Sequence, residues 1–294
     1  MRRVDDKLYI ASGTAAEAAF DLVVTPERAG WAYSGLRILS LAPGQQHTWA
    51  TGEDEMLVLP LQGSARVTCE GKTFELHGRP GVFDRVSDFC YAPRDATVTV
   101  TAPAGGRFAL PSARCANKLE PRYGAAGDVP VELRGAGQAS RQVNNFCSPE
   151  AFEADKLIAV EVLTPGGNWS SYPPHKHDEA RGDEEAELEE IYYFETQGLA
   201  YQRVYGPGID VLAEVGTGDV VLIPHGWHGP SMAAPGYHLY YLNVMAGPAA
   251  MRAWLFCDDP AHAWVRDSWA DQPMDPRLPM TTTTGKPDTE RSRR

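Results

Sequence analysis

The sequence predicts an all-β protein made of two tandem barrels or sandwiches, and three observations support this fold class. Short runs rich in β-branched and aromatic residues recur along the 294-residue chain, each bounded by Gly, Pro, Asn or Asp. Long amphipathic helical patterns are nearly absent. A glutamate followed by an apolar run and a turn glycine occurs once in each half of the chain, which indicates an internal repeat.

The strand-like runs follow one another with little between them. In the first half they are LRILSLAP, EMLVLPLQG, SARVTCEG and ATVTVTAPAG. In the second half they are KLIAVEVLTPGG, EEIYYFETQG, LAYQRVYG, GDVVLIPHG and HLYYLNVMAG. Many short strands with this Gly and Pro punctuation favour a β-sandwich or a barrel.

The internal repeat pairs two glutamates. Glu55 begins the run EMLVLPLQG, and Glu190 begins the run EIYYFETQG with the same spacing to its glycine. In each half a turn-rich strand then ends in proline, at Pro93 and at Pro224. The sequence therefore predicts two β domains of one plan.

The domain boundaries follow from composition. We expect an N-terminal barrel over residues 1–115, a polar and glycine-rich linker over 116–150, and a C-terminal barrel over 151–275. Residues 276–294 have no core-forming pattern and are expected to form a mobile tail. The first half has only His47, in GQQHTW, where the second half has a histidine pair, so we expect the metal-free barrel to be the N-terminal one.

Charge and composition narrow the function classes. The net charge of −12 and the lack of a basic stripe argue against nucleic-acid binding. No run of about 18 apolar residues predicts a membrane span, and the N-terminus lacks the apolar region of a signal peptide. Five widely spaced cysteines are typical of reduced thiols in the cytoplasm, which is the expected location. Exposed sheet edges favour a homo-oligomer.

Two histidines stand one residue apart in PPHKHD, where two prolines favour an extended backbone. Side chains two positions apart on a strand share a face, so His175 and His177 can bind one metal ion. Glu190 opens the next strand, and its period-2 partners Tyr192 and Phe194 make its face the inner one. Glu190 can then supply an oxygen ligand.

The turn after GDVVLIP offers a fourth ligand from either His225 or His228. Three imidazoles and one carboxylate form a set that suits Zn²⁺, Mn²⁺, Fe²⁺, Co²⁺ or Ni²⁺. Any one of these histidines alone is more often a surface or core residue. The combination of the histidine pair, the strand-opening glutamate and the later histidine is what predicts a metal site.

These pieces resemble the two cupin motifs, His-x-His with Glu and Gly, and Gly-Asp, a strand, Pro-x-Gly and His. The resemblance implies two tandem cupin barrels, which are double-stranded β-helices or jelly rolls, with few short helices. The implied metal ligands are His175, His177, Glu190 and His228. The spacing before the glutamate is longer than in ordinary cupins, which keeps Glu189 as an alternative. The spacing after Gly226 is shorter, which keeps His225 as another.

A closer resemblance is to the 5-deoxyglucuronate isomerase family of bacterial myo-inositol catabolism. It is carried by RGAGQASRQVNN, PPHKHDE, LEEIYYF, QRVYG, GDVVLIPHGWHG and APGYHLYYLNVMAGP, and it runs from about residue 5 to about residue 270. The resemblance implies an enzyme that converts 5-deoxy-D-glucuronate, a small sugar acid, to 5-dehydro-2-deoxy-D-gluconate. One divalent metal ion would assist, with Zn or Mn preferred and Fe, Co or Ni possible.

Moving a carbonyl group from C1 to C2 requires either proton transfer through a base or a hydride shift. The candidates for the base are Tyr192, Tyr241, His238 and Glu189. The substrate carboxylate requires a cation, for which Arg203 in YQRVY is the first candidate and Lys176 the second.

Two other functions use the same ligands. An Fe²⁺-dependent cupin dioxygenase would consume oxygen, and a sugar-acid-binding cupin without activity would bind its ligand and release no product. The ligand set alone does not distinguish these alternatives from an isomerase.

Overall fold

The computed structural model describes residues 7–285, and this part of the chain is built almost entirely of β-strands. The first ten strands are β1 (Tyr9–Ile10), β2 (Phe20–Val24), β3 (Ser34–Leu41), β4 (Gln45–Ala50), β5 (Asp54–Cys69), β6 (Lys72–Arg79), β7 (Phe89–Ala92), β8 (Thr97–Ala102), β9 (Gly106–Arg114) and β10 (Arg122–Gly124). The others are β11 (Val131–Arg134), β12 (Arg141–Asn144), β13 (Ile158–Thr164), β14 (Trp169–Ser170), β15 (His175–Lys176), β16 (Glu189–Thr196), β17 (Ala200–Gly206), β18 (Ile209–Val215), β19 (Val220–Ile223), β20 (Trp227–Ala233), β21 (Leu239–Ala246) and β22 (Cys257–Asp258).

Helices are short. Within residues 7–285 the α-helices are α1 (Pro26–Ala29) and α2 (Trp264–Asp267), and 3₁₀ turns cover Ala126–Asp128, Gly137–Ala139 and Ser268–Asp271. No helix in this range is long and apolar enough to cross a membrane. The prediction of an all-β fold with few short helices is confirmed.

The first half forms a nine-stranded sheet that curls on itself. The order is β10-β7-β5-β9-β3-β2, and the 16-residue β5 also pairs with β6 and β8, while β8 pairs with β4. Apolar and polar residues alternate along these strands, so that one face of the sheet is buried. In β8, Val98, Val100 and Ala102 are buried while the threonines between them are more exposed. The register of β5 shifts between Pro60 and Gln62, which bends this long strand around the core.

The second half is built from two facing sheets. One has the order β1-β19-β16-β21-β13-β12-β11, and the other has the order β18-β17-β20-β15-β22 with β14 on β20. Inward side chains of both sheets, including Val160 and Tyr192 from one and Val204 and Val211 from the other, form one apolar cluster. The second sheet has a polar outer face, as in β18, where Asp210 and Glu214 are exposed between buried residues.

The sheets do not follow the predicted boundaries at two places. Strand β1 lies within the predicted N-terminal barrel, yet it pairs with β19 of the second half. The predicted linker, residues 116–150, supplies β10 to the first sheet and β11 and β12 to the second. Its polar, glycine-rich composition concealed these strands, because they are only three or four residues long.

The predicted mobile tail is wrong for residues 276–285. The side chain of Gln142 accepts hydrogen bonds from the backbone N–H groups of Met280 and Thr281, and Thr281 is fully buried. The carbonyl of Thr282 accepts a hydrogen bond from the N–H of Val86 in the first half. Polar contacts hold this segment, so no apolar pattern revealed it. Residues 286–294 lie outside the described residues.

Two glutamates join the halves in a reciprocal way. The Glu55 carboxylate accepts hydrogen bonds of 2.6–2.9 Å from the backbone N–H groups of residues 155–157, immediately before β13. The Glu189 carboxylate accepts bonds of 2.7–2.9 Å from residues 32–34, at the start of β3. The structural counterpart of Glu55 is therefore Glu189, so the predicted pairing of Glu55 with Glu190 is wrong by one residue.

The ladder registers confirm this offset. Glu190 lies opposite Ile223, the residue before Pro224, and Met56 lies opposite Ala92, the residue before Pro93. Met56 therefore occupies in the first half the place that Glu190 has in the second. Likewise the pair Ala50 and Thr97 corresponds to the pair His175 and His228. The first half thus has neither carboxylate nor imidazole at these three positions.

An ion pair between the halves is completely buried. The guanidinium of Arg79 donates two parallel hydrogen bonds to the Glu161 carboxylate, at 2.9 and 2.8 Å, and both side chains have no solvent exposure. Arg79 Nε also donates to the carbonyl of Pro60, and Asn144 donates to Glu161. The pair therefore has the additional hydrogen bonds that a buried ion pair requires.

Candidate metal centre

The predicted ligands lie on neighbouring strands of the second half. His175 in β15 is directly opposite His228 in β20, and Glu190 is the second residue of β16. The turn before β20 contains Gly226 with φ of 90°, a conformation that favours glycine. A Cβ atom there would also lie 2.9 Å from the carbonyl oxygen of Tyr205. This close turn brings His228 onto the inner face.

Three of the four predicted ligands converge. His177, Glu190 and His228 are buried, and each offers one atom within 4.8 Å of the others. Both histidine Nε2 atoms lie 3.1 Å from Glu190 Oε2. The ring of His175 packs against that of His228, with 4.4 Å between ring centroids, and therefore lies beside this group.

The ring orientation of the histidines is fixed by backbone carbonyl groups. The Nδ1 atoms of His177, His228 and His175 face the carbonyl oxygens of Leu188, Gly226 and Pro173 at 3.2, 3.3 and 3.4 Å. A carbonyl oxygen only accepts hydrogen bonds, so each Nδ1 carries the proton. In the neutral ring each Nε2 then keeps its lone pair, which is the arrangement typical of metal-binding histidines.

The donor set fits a cation. Lone pairs on two nitrogens facing a carboxylate oxygen repel one another unless a positive charge lies between them. His228 Nε2 is buried and makes no hydrogen bond with any of the described residues. The other oxygen of Glu190 accepts a hydrogen bond from the side chain of Asn243, which fixes the carboxylate orientation. These nitrogen and oxygen donors suit a divalent metal ion.

The electrostatics favour the protonation states of ligands. Burial lowers the pKa of His228 to about 4 and lowers the pKa of His175 well below its usual range. Burial opposes ionisation of Glu190, but the neighbouring His228 and His177 lower its pKa below the usual value. Burial also disfavours charge on His177, whose pKa the Glu190 carboxylate nevertheless raises. At neutral pH the site therefore has neutral His175 and His228 rings and an ionised carboxylate.

The structure separates the two alternative ligands from this group. The Glu189 carboxylate is directed to the backbone of residues 32–34 in the first half. His225 lines a different cavity, together with Tyr9 and Arg28. Glu190 and His228 are the residues that meet His177.

Two of the predicted catalytic residues lie beside the group. The ring of Tyr192 is 6.1 Å from that of His228 and stacks on Tyr241, with 4.8 Å between centroids. The hydroxyl groups of Tyr192 and Ser171 are 2.7 Å apart and share a hydrogen bond. Burial raises the pKa of both tyrosines, to well above the usual range for Tyr192. Both are protonated phenols that can donate hydrogen bonds.

The third predicted catalytic residue, His238, is elsewhere. It precedes β21, seven residues from Met245, which lies opposite Glu190. At the rise of an extended strand this separation is about 20 Å. The Nδ1 atom of His238 accepts a hydrogen bond from the N–H of Gly166, and its ring approaches Phe83 of the first half. The structure does not bring His238 together with the metal ligands.

Neither predicted carboxylate-binding cation faces the group. Arg203 is on the face of β17 opposite the inward residues Ala200 and Val204, and it forms an ion pair of 2.6 Å with Asp210. Lys176 alternates with the two histidines and so points away from them, toward Asp178 and Glu185. Both cations already have carboxylate partners, so the structure does not bring either candidate together with the converging group.

The acidic loop after the histidine pair has a structural role that the sequence analysis missed. Glu185 is buried and accepts hydrogen bonds from Lys176 Nζ at 3.0 Å, the N–H of Asp178 at 2.8 Å and Arg181 Nε at 2.9 Å. The loop therefore folds back onto the segment that carries His175 and His177. The basic residues Lys176 and Arg181, beside and within the acidic run, could have indicated that the run forms ion pairs.

Substitution of Glu185 by glutamine is expected to lower the free energy of unfolding at pH 7 by about 2 kcal/mol, because buried donors lose a charged acceptor. Burial alone would raise the pKa of Glu185, but the hydrogen bonds from Lys176 and Asp178 lower it from 4.5 to about 2. Ionised Glu185 therefore stabilises the fold above about pH 4.5, and the contribution is lost as the pH falls toward 2. Urea unfolding between pH 2 and 7 should show a flatter pH dependence in the variant.

Glu184→Gln is the matched control, since Glu184 is exposed and lies 3.8 Å from Arg181. It should unfold like the wild type. Equal stability of Glu185→Gln and Glu184→Gln at pH 7 would contradict the structural role of Glu185.

Comparison with known proteins identifies the family. A family model described as the KduI/IolB family matches residues 8–265. This chain belongs to the KduI/IolB family. Relatives of this family member include the 5-deoxy-glucuronate isomerase of Geobacillus kaustophilus, with 41% identity over 269 residues, 89% of this chain and 96% of that one. The enzyme of the same name from Bacillus subtilis strain 168 has 39% identity over 249 residues, 82% of this chain and 91% of that one. The resemblance stated from the motifs is confirmed.

Solved structures agree with this membership. An IolB-like protein of Salmonella typhimurium LT2 has a TM-score of 0.82 and 34% identity, covering 88% of this KduI/IolB chain and 98% of its own. The oxalate decarboxylase of Lactobacillus farciminis has a TM-score of 0.61 and 16% identity, covering 85% and 88%. The second likeness shows the fold alone, and it confirms the predicted cupin architecture.

Proposed function

We propose that this KduI/IolB protein is a metal-assisted isomerase that converts the aldose 5-deoxy-D-glucuronate to the ketose 5-dehydro-2-deoxy-D-gluconate in myo-inositol catabolism. The observation that carries the proposal is the convergence of His177, Glu190 and His228, with an Nε2 lone pair on each histidine. Relatives at about 40% identity over most of the chain carry the name of this activity.

The metal ion we propose is a single divalent cation, with Zn²⁺ or Mn²⁺ preferred and Fe²⁺, Co²⁺ or Ni²⁺ accepted. We propose His177, Glu190 and His228 as ligands and His175 as the fourth, since its Nδ1 also faces a carbonyl oxygen. Such an ion supplies Lewis-acid polarisation of the substrate carbonyl and hydroxyl oxygens.

The residues around the ligands orient the substrate. Tyr192 and Tyr241 are buried phenols, so we assign them as hydrogen-bond donors to substrate oxygens, with Ser171 holding the Tyr192 hydroxyl in place. Asn243 holds Glu190 in its ligand orientation. The aromatic walls, which include Phe194, exclude water from the reacting carbons.

The proposal is tested by incubating metal-loaded protein with 5-deoxyglucuronate in D₂O and following the product by NMR. We expect the ketose to form, with or without oxygen in the buffer, and no product from the His175→Ala control. Deuterium at C1 would support proton transfer through a base, and retention of the original hydrogen would support a hydride shift. If none of the five metals supports product formation, the proposed function is contradicted.

We also propose that the protein works in the cytoplasm. The five cysteines are all free thiols, in keeping with a reducing cytoplasm. We also propose that the protein is a homo-oligomer. In the first half, Met56, Ala50 and Thr97 stand at the positions of ligands, which supports a structural role for that barrel.

A further inference from the structure

Arg141 is a buried arginine on the inner face of the second half. It is the first residue of β12, and only 4% of its surface is exposed. Alternation puts it on the same face as Val143, which belongs to the apolar cluster that contains Tyr192 and Tyr241. Gln142 points the other way, toward Thr281.

The hydrogen bonds of Arg141 leave its charge unpaired. Its Nη1 donates to the carbonyl oxygens of Ala139 at 2.9 Å and Tyr172 at 3.3 Å, and its guanidinium lies 5.5 Å from the ring centre of Trp269. Among residues 7–285 no carboxylate oxygen lies within 4.0 Å of its nitrogens. Arginine does not give up its proton in proteins, so a positive charge is buried here without a counter-ion.

Neighbouring arginines differ in this respect. Arg134 pairs with Glu132 at 2.7 Å, and Arg266 pairs with Asp258 at 2.7 Å. Burial lowers the pKa of Arg141 to about 10, and the charges of these two arginines act in the same direction. The surroundings of Arg141 therefore favour an anion that the described part of the chain does not supply.

The guanidinium lies on the same wall as the metal ligands. Residues 171–175 form this wall: the Ser171 hydroxyl bonds to Tyr192, the carbonyl of Tyr172 accepts from Arg141, and His175 packs against His228. The hydroxyl groups of Ser171 and Tyr241 are 3.4 Å apart, so Tyr241 also lies at this wall.

A second unused donor accompanies the guanidinium. Trp269, over whose ring Arg141 lies, has a buried Nε1 atom without a hydrogen-bond partner among the described residues. A guanidinium without a carboxylate partner and an indole N–H without an acceptor, both among the described residues, fit a ligand that carries several acceptor atoms.

We propose that Arg141 binds the carboxylate of the sugar acid and so selects uronates over neutral aldoses. The inference rests on the proposed function, since it assigns the second end of the same substrate. The aldehyde at C1 would lie at the metal ligands and the C6 carboxylate at the guanidinium, whose planar donors match a carboxylate in a bidentate way.

The test compares two substrates and three proteins. The substrates are 5-deoxyglucuronate and the neutral analogue with a hydroxymethyl group in place of the carboxylate. The proteins are the wild type, Arg141→Met and Arg141→Lys. For the acid, Arg141→Met should lower kcat/KM by about 10²- to 10³-fold, mainly through KM, because the buried substrate carboxylate loses its positively charged partner. For the neutral analogue the change should stay within about threefold, and Arg141→Lys should lie between.

Binding supplies a readout that does not depend on turnover. Calorimetry with D-glucuronate and D-glucose should show that the wild type prefers the acid and that Arg141→Met does not. Arg134→Met is the matched control, since Arg134 lies opposite Arg141 in the ladder but has its own carboxylate, and it should keep the preference.

The outcomes separate the two proposals. If the wild type forms no product but prefers the acid in binding, and Arg141→Met loses that preference, the isomerase assignment fails and the role of Arg141 stands. If Arg141→Met or Arg141→Lys loses activity equally on acid and neutral substrate, or binds both sugars as the wild type does, Arg141 has only a structural role and the inference is overturned. If Arg141→Met does not fold, the comparison of acid and neutral substrates with Arg141→Lys decides between a binding role and a structural role of Arg141.

Discussion

Glu190→Gln is expected to abolish metal binding and to lower kcat/KM by about 10³-fold or more, since a Lewis acid contributes several kcal/mol to such a reaction. The amide is nearly isosteric with the carboxylate but lacks its negative charge, and its NH₂ group can donate to the Nε2 atoms of His177 and His228, 3.1 Å from the carboxylate oxygen. Elemental analysis after dialysis and the NMR assay measure the two effects.

The amide should not harm the fold. In the metal-free protein the carboxylate faces the lone pair of His228 Nε2, and the amide can replace this repulsion with a hydrogen bond, so metal-free Glu190→Gln should fold like metal-free wild type. Glu189→Gln is the control, because its carboxylate serves the first half, and it should retain metal. A Glu190→Gln protein that holds one metal ion with wild-type affinity would refute the proposed site.

Removing one partner of the ion pair between the halves is expected to cause the largest loss of stability. Arg79→Met or Glu161→Gln should each lower the free energy of unfolding by about 3–5 kcal/mol, because the remaining charge is buried without compensation. The double variant should lose much less than the sum, since no unpaired charge remains. Urea unfolding of the four proteins gives the coupling between the two side chains.

A surface ion pair provides the comparison. Arg66 and Glu75 are 2.6 Å apart, but their side chains are 59% and 60% exposed. Breaking this pair should cost less than about 1 kcal/mol. If Arg79→Met costs no more than Arg66→Met, the buried pair does not hold the halves together.

The residues proposed as ligands could be predicted because each leaves a local signal. The spacing of His175 and His177 places them on one side of an extended segment, and the strand beginning at Glu190 has a pattern that distinguishes its faces. The pattern of that strand favoured Glu190, but the spacing from the histidine pair kept Glu189 as an alternative, which the structure directs to the first half. Local geometry therefore sufficed for the ligand types and largely for their positions.

The cation proposed to bind the substrate carboxylate could not be predicted in this way. Arg203 and Lys176 are close in sequence to the site, but each points to the outer face and pairs with a carboxylate. Arg141 comes from the predicted linker, and its significance lies in what surrounds it: two backbone carbonyl groups, an aromatic ring and no counter-ion among the described residues. Burial and the lack of a partner are properties of the folded chain.

The sequence by itself determined the all-β class, the repeat of two halves and the histidine and glutamate residues that converge in the second half, because the period of two and the turn residues act within a few positions of the chain. Only the tertiary structure decided the exact register of the repeat, in which Met56 and not Glu55 matches Glu190. It also decided that residues 276–285 bond to both halves and that Arg141 is buried. These features depend on contacts between distant segments, whose free energies are set by burial and hydrogen bonding in the assembled fold.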